Sequence, residues 1–128
     1  MNILRPIDIE DEIRQALSPY ITTYVRPLPE DFTLPCILVT QTGGSTADTI
    51  DKFTVSLDAR AETDEEAVSL IRTAQGLLEA QACSQFGSLR NVIVNSLASW
   101  GNDPVRPDIK LCSMTCLVVA HRESFSIS

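Results

Sequence analysis

Residues 53–71 read FTVSLDARAETDEEAVSLI, and the hydrophobic period changes partway along them. Phe53, Val55, Leu57 and Ala59 alternate with Lys52, Thr54, Ser56, Asp58 and Arg60. Period two sustained over residues 52–60 predicts a strand with one buried face and one polar face. Thr63-Asp64-Glu65-Glu66 then has the form of a capping box. The Thr63 hydroxyl can accept from the amide three residues on, while the Glu66 side chain reaches back to the cap amide. Ala67, Ile71, Ala74 and Leu78 follow at i, i+4, i+7 and i+11, which predicts a helix over residues 64–82. If the cap forms, Thr63→Ala costs about 1 kcal/mol. A strand that runs at once into a capped helix requires a helix lying on a sheet.

The rest of the chain extends this pattern. Ile9, Ile13 and Leu17 share a helical face, and Asp8, Glu10, Asp11 and Glu12 crowd the first turns, where the helix dipole favours acids. This predicts a helix over residues 7–17, ended by Pro19. Residues 21–25 are β-branched and aromatic, a short strand. Pro27, Pro29 and Pro35 make the next segment an extended connection. Residues 36–42, CILVTQT, read as a strand covered on both faces at its start. Residues 43–51, GGSTADTID, have the composition of a flexible hairpin loop. Residues 89–98 and 109–121 read as strands, separated by a turn over 101–108, and residues beyond Arg122 read as a frayed tail. The expected fold is α+β: a mostly antiparallel, mixed sheet of four or five strands with two helices packed on one face, a single domain ordered over about residues 7–122.

Composition sets limits on function. The 128 residues suffice for one domain. A formal net charge of −7 argues against phosphate-backbone binding as the main task, which needs clustered Lys and Arg. No apolar run approaches the ~20 residues of a membrane span, and residues 1–6 lack the apolar core of a signal peptide. Cys36, Cys83, Cys112 and Cys116 are then expected as free, mostly buried thiols in a reducing compartment.

Catalytic and cofactor motifs are each answered by a simpler reading. On a strand, Cys112 and Cys116 would sit ~13 Å apart, too far to share a zinc or a disulfide. His121 is the one histidine, at a strand end, and no Gly-x-Ser-x-Gly elbow surrounds a serine. Thr42-Gly43-Gly44-Ser45-Thr46 lacks the Gly-Lys-Ser/Thr ending of a phosphate loop. Asp64, Glu65 and Glu66 are accounted for by helix capping. Trp100, beside Gly101, admits two readings: a partner contact, or a plug at the end of the core. No cofactor, metal or catalytic residue is expected.

The order of elements resembles the small tail-terminator and head–tail joining proteins of long-tailed bacteriophages. The resemblance covers residues 7–122. It rests on an N-terminal helix, then a Pro-rich segment ending in Leu34-Pro35-Cys36-Ile37-Leu38-Val39. The Thr42-Gly43-Gly44 loop, the alternating strand with its Glu-rich cap over residues 53–66, and Arg106-Pro107-Asp108 before a terminal strand complete it. The resemblance implies a non-enzymatic virion protein assembled in the host cytoplasm. It implies a self-associating ring, six-membered in that family, on the end of the tail tube. There the ring would stop growth of the tube, meet the major tube protein and the head connector, and let DNA pass its lumen without specific binding. Under this reading Gly43, Gly44, Ser45, Thr46, Asp48 and Asp51 are expected as a mobile contact ordered only on a partner. The face of the last strand that carries Met114 is expected to be buried by a neighbouring copy or by another element, and Trp100 is a further contact candidate. The alternatives are another neck component, an adaptor or stopper, and, from a different class, a ferredoxin-like oligomer that binds a small ligand or transfers protons.

Overall fold

In the computed structural model, residues 1–84 and 87–128 are described, apart from the side chains of residues 97–99. The elements are β1 (Asn2–Arg5), α1 (Ile9–Leu17), β2 (Thr23–Val25), β3 (Cys36–Ala47), β4 (Ile50–Ala61), α2 (Asp64–Ser84), β5 (Leu89–Asn102), β6 (Lys110–Ala120) and β7 (Glu123–Ser126). Five strands form one sheet in the order β2-β3-β4-β6-β5, and β1 pairs with β7 in a separate two-stranded ribbon. The sheet is antiparallel except for β2, which runs parallel to β3. The α+β architecture is the one expected.

The alternation in β4 does what its sequence dictates. Phe53, Val55, Leu57 and Ala59 are buried, and across the β4–β6 ladder Val55 meets Cys116, Leu57 meets Met114 and Ala59 meets Cys112. Both helices cover this side. Ile9, Ile13 and Leu17 of α1 and Ala67, Ile71, Ala74 and Leu78 of α2 join the same core as Ile37, Val39 and the inward residues of β4 and β6. The α2 cap forms as well, with the Glu66 amide donating to the Thr63 hydroxyl at 3.2 Å. α1 begins two residues later than expected. Asp8 caps it, its carboxylate accepting from the Asp11 amide, so Ile7 lies outside the helix.

Four expectations are corrected. Residues 43–51 are not a flexible loop. Gly43, Gly44, Ser45, Thr46 and Ala47 pair with Thr54, Phe53, Lys52, Asp51 and Ile50, after a bulge between Gln41 and Gly43. The reversal is made by Asp48 and Thr49 alone, at φ of 53° and 63°, both in the left-handed region suited to a two-residue hairpin. Gly44 instead permits close strand approach: a Cβ there would lie 2.9 Å from the backbone oxygen of Lys52.

The tail beyond Arg122 is not frayed. Asn2, Ile3, Leu4 and Arg5 pair with Ser126, Phe125, Ser124 and Glu123. Arg5 fastens the ribbon, with Nε 2.7 Å from Glu123 Oε1 and its guanidinium 3.6 Å from the centre of the Phe125 ring. Met114 is not available to a neighbouring copy. It is 1% exposed and faces the core, because the chain's own helices cover that side. Arg60, placed by alternation on the polar face, is not solvated but buried at 8% exposure, opposite Cys36 in the β3–β4 register.

Candidate functional site

Two regions carry polar chemistry, one at each end of the sheet. The first contains the tip of the β3–β4 hairpin. Asp51 is 2% exposed, and Arg122 grips it with Nε and Nη2 at 2.9 and 3.0 Å while the Thr46 hydroxyl donates at 2.6 Å. The Arg122 hydrogen bonds, joined by that from Thr46, hold the Asp51 carboxyl below its ordinary range against the opposing effect of burial. This network joins the hairpin to the short link between β6 and β7. Asp51 and Thr46, predicted as contact residues, are thus structural anchors, while Gly43, Gly44, Ser45 and Asp48 remain exposed beside them. Leu4 and Ile50 are also exposed here, and they share a cleft with Arg90, His121 and Arg122.

Trp100 lies elsewhere, on β5 at the free margin of the sheet, in register with Cys112. At 58% exposure it does not plug the core. The predicted contact residues therefore do not converge: hairpin tip, Trp100 and Met114 occupy three separate positions.

The second region was missed. At the other end of the sheet, Arg60 Nε donates to Asp103 Oδ2 at 2.7 Å, and both side chains are buried. Asp103 Oδ1 accepts from the Val105 and Arg106 amides, each at 2.9 Å, which shapes the β5–β6 connection. Burial pushes the Asp103 carboxyl up, but Arg60 and the two amides outweigh it and hold the group below its ordinary value. A cleft of about 490 Å³ opens here, lined by Leu28, Pro29, Phe32, Arg60, Val105 and Arg106 among others. The available signals were Arg60 at the inner end of a strongly alternating strand and the Asn-Asp-Pro run at 102–104. Neither identifies the other as a partner.

The thiols divide as burial dictates. Cys36, Cys112 and Cys116 are buried, Cys83 is exposed, and all are free. Desolvation pushes Cys36 and Cys116 up to about 11. Among the described residues, no group of three His, Cys, Asp or Glu side chains is placed to hold a metal ion. No described helix is long and apolar enough to cross a membrane. Compared with known proteins, the chain matches no family model and no curated sequence.

Proposed function

We propose that this chain is a structural virion protein of a long-tailed bacteriophage, a tail terminator. Copies of it associate in a ring of six at the head-proximal end of the tail tube, stop growth of the tube, and join it to the head connector. No catalysis is assigned to it, and its partners are further copies of itself, the tube protein and the connector.

The observation that carries the proposal is the pair of open edges on one rigid sheet. β5 is fourteen residues long, no strand lies outside it among the described residues, and Arg90 is its only charged residue. Edge strands are ordinarily guarded by charges, proline or bulges, and Arg90 with the irregular register of β5 is a light guard for so long a strand. At the opposite margin β2 covers β3 only as far as Val39, so residues 40–47 have no outer strand partner among the described residues. Different surfaces on opposite margins favour head-to-tail association, which closes into a ring when the angle between neighbours is fixed. The helix α2, capped and packed on the sheet, supplies that rigidity. Trp100 and Ile93 on β5, at 58% and 46% exposure, add apolar area at the same margin. A net charge of −7 suits a lumen through which DNA must slide.

The test is electron microscopy of lysates from a phage or prophage lacking this gene. The expected result is DNA-filled heads lying apart from tails of uneven length. Normal infectious particles would refute the proposal.

A further inference from the structure

The cleft beside the β3–β4 hairpin tip sets cations against apolar surface. Arg90 and Arg122 both line it, and among the described residues no acid does. Arg122 is already matched, holding Asp51 through Nε and Nη2 at 2.9 and 3.0 Å. Arg90 pairs with no described carboxylate. Its Nη1 donates to the Gly87 and Leu89 carbonyls, and Nη2 lies 3.5 Å from His121 Nδ1. An arginine can only donate, so Nδ1 of the neutral imidazole accepts and Nε2 carries the ring proton. Arg90 Nε and Arg122 Nη1 have no hydrogen-bond partner. Both are open to solvent, since among the described residues Arg60 Nη1 is the only side-chain nitrogen or oxygen that is both buried and unpartnered. Two arginines less Asp51 leave the cleft one unit of positive charge, in a chain whose net charge is −7. The walls are aliphatic. Leu4 and Ile50 stand 67% and 49% exposed, and Val119 is half-buried between sheet and solvent. Single exposed aliphatic residues are ordinary, but several gathered on one cleft mark a place where an apolar body is covered.

We propose that this cleft binds an organic monocarboxylate with an aliphatic body. The Arg90 guanidinium receives the carboxylate, with the His121 Nε2–H and Arg122 Nη1 as further donors on the same cleft. Leu4, Ile50 and Val119 cover the hydrocarbon. Three features select this class. The volume of about 520 Å³ falls within the range of small-ligand sites. A planar guanidinium matches the two oxygens of a carboxylate. The single uncompensated charge suits a monoanion, while the field of an acidic chain opposes a polyanion such as nucleic acid. The acid can be a free small molecule or the C-terminal carboxylate of a polypeptide. The proposal is separate from ring assembly and does not depend on it.

The experiment is an NMR titration of the ¹⁵N,¹³C-labelled full chain at pH 7 with 4-methylpentanoate and with N-acetyl-leucine, each compared with its neutral amide. The signals followed are the Ile50 and Val119 methyls, the His121 amide and the Arg90 Nε–H. Both acids should give saturable shifts of these signals. The neutral amides, and the acids with Arg90→Gln, should bind at least about tenfold more weakly, as expected for loss of a hydrogen bond to a charged group. Leu4→Ser should weaken binding about threefold or more by removing an apolar wall. Leu4 is exposed, so this variant keeps the test open even if Arg90→Gln disturbs the start of β5. Tighter binding of N-acetyl-leucine assigns the site to a polypeptide terminus, and tighter binding of 4-methylpentanoate assigns it to a small acid. Absence of saturable shifts, equal response to acid and amide, or binding undiminished by Arg90→Gln or by Leu4→Ser would overturn the proposal.

Discussion

Replacing Asp103 by alanine removes the counter-charge of Arg60 and leaves a guanidinium in a site where its side chain is only 10% exposed. Arg60 has little access to water where it stands, since it lies beside the fully buried Cys36 and is itself only 8% exposed. Truncating one member of a buried, hydrogen-bonded pair costs about 3–5 kcal/mol. A domain of this size has roughly 5–15 kcal/mol in total, so the variant should lose about a third of its stability. Asp103→Asn should cost less, since an amide oxygen can still accept from the Val105 and Arg106 amides. The double variant Arg60→Met/Asp103→Leu should recover most of the loss, because neither charge is left alone. The pH dependence has a defined sign. The folded carboxyl lies below its unfolded value, so its contribution is complete above about pH 4 and is lost as pH falls through the folded value. Urea unfolding followed by circular dichroism at pH 7 and pH 3 measures each quantity, with constant m-values confirming a stability change. A loss under about 1 kcal/mol for Asp103→Ala, or a double variant no better than the single, would refute the reasoning.

Other outcomes follow from burial and local geometry. Ellman's reagent at pH 8 should modify Cys83 rapidly and Cys36, Cys112 and Cys116 only after unfolding, since burial raises all three thiols; fast reaction of a second thiol in native buffer contradicts this. Gly44→Ala should destabilise by about 1–3 kcal/mol, because a Cβ there meets the Lys52 backbone oxygen at 2.9 Å. Gly76→Ala, on the exposed side of α2 with nothing within 4 Å of the new Cβ, should stabilise by about 0.5–1 kcal/mol. Thermal melts of the two glycine variants should therefore move in opposite directions. Met114→Asp buries a carboxylate in the core and should abolish the folded monomer itself, seen as loss of amide dispersion in NMR spectra; a well-dispersed spectrum would show that the core tolerates it.

The candidate site was far less legible than the fold, and particular residues show why. Arg60 sits at a position whose alternation says solvent, and β4 obeys that alternation for Phe53, Val55, Leu57 and Ala59. Its burial depends on Asp103, forty-three positions away, arriving over the same face. Gly43 and Gly44 suggested a loop because glycine commonly marks turns, yet Asp48 and Thr49 make the reversal and Gly44 allows close strand contact.

Local physics thus decided the strand β4, the Thr63 cap, the buried stripe of α2 and the α+β class, because each depends on side-chain period or on hydrogen bonds within a few residues. Tertiary structure alone decided the β1–β7 ribbon, the Arg60–Asp103 pair with its cleft, the Asp51–Arg122 anchor and the burial of Met114. Each of those joins groups distant in the chain, and no local pattern encodes which distant partner will satisfy a buried charge or cover an apolar face.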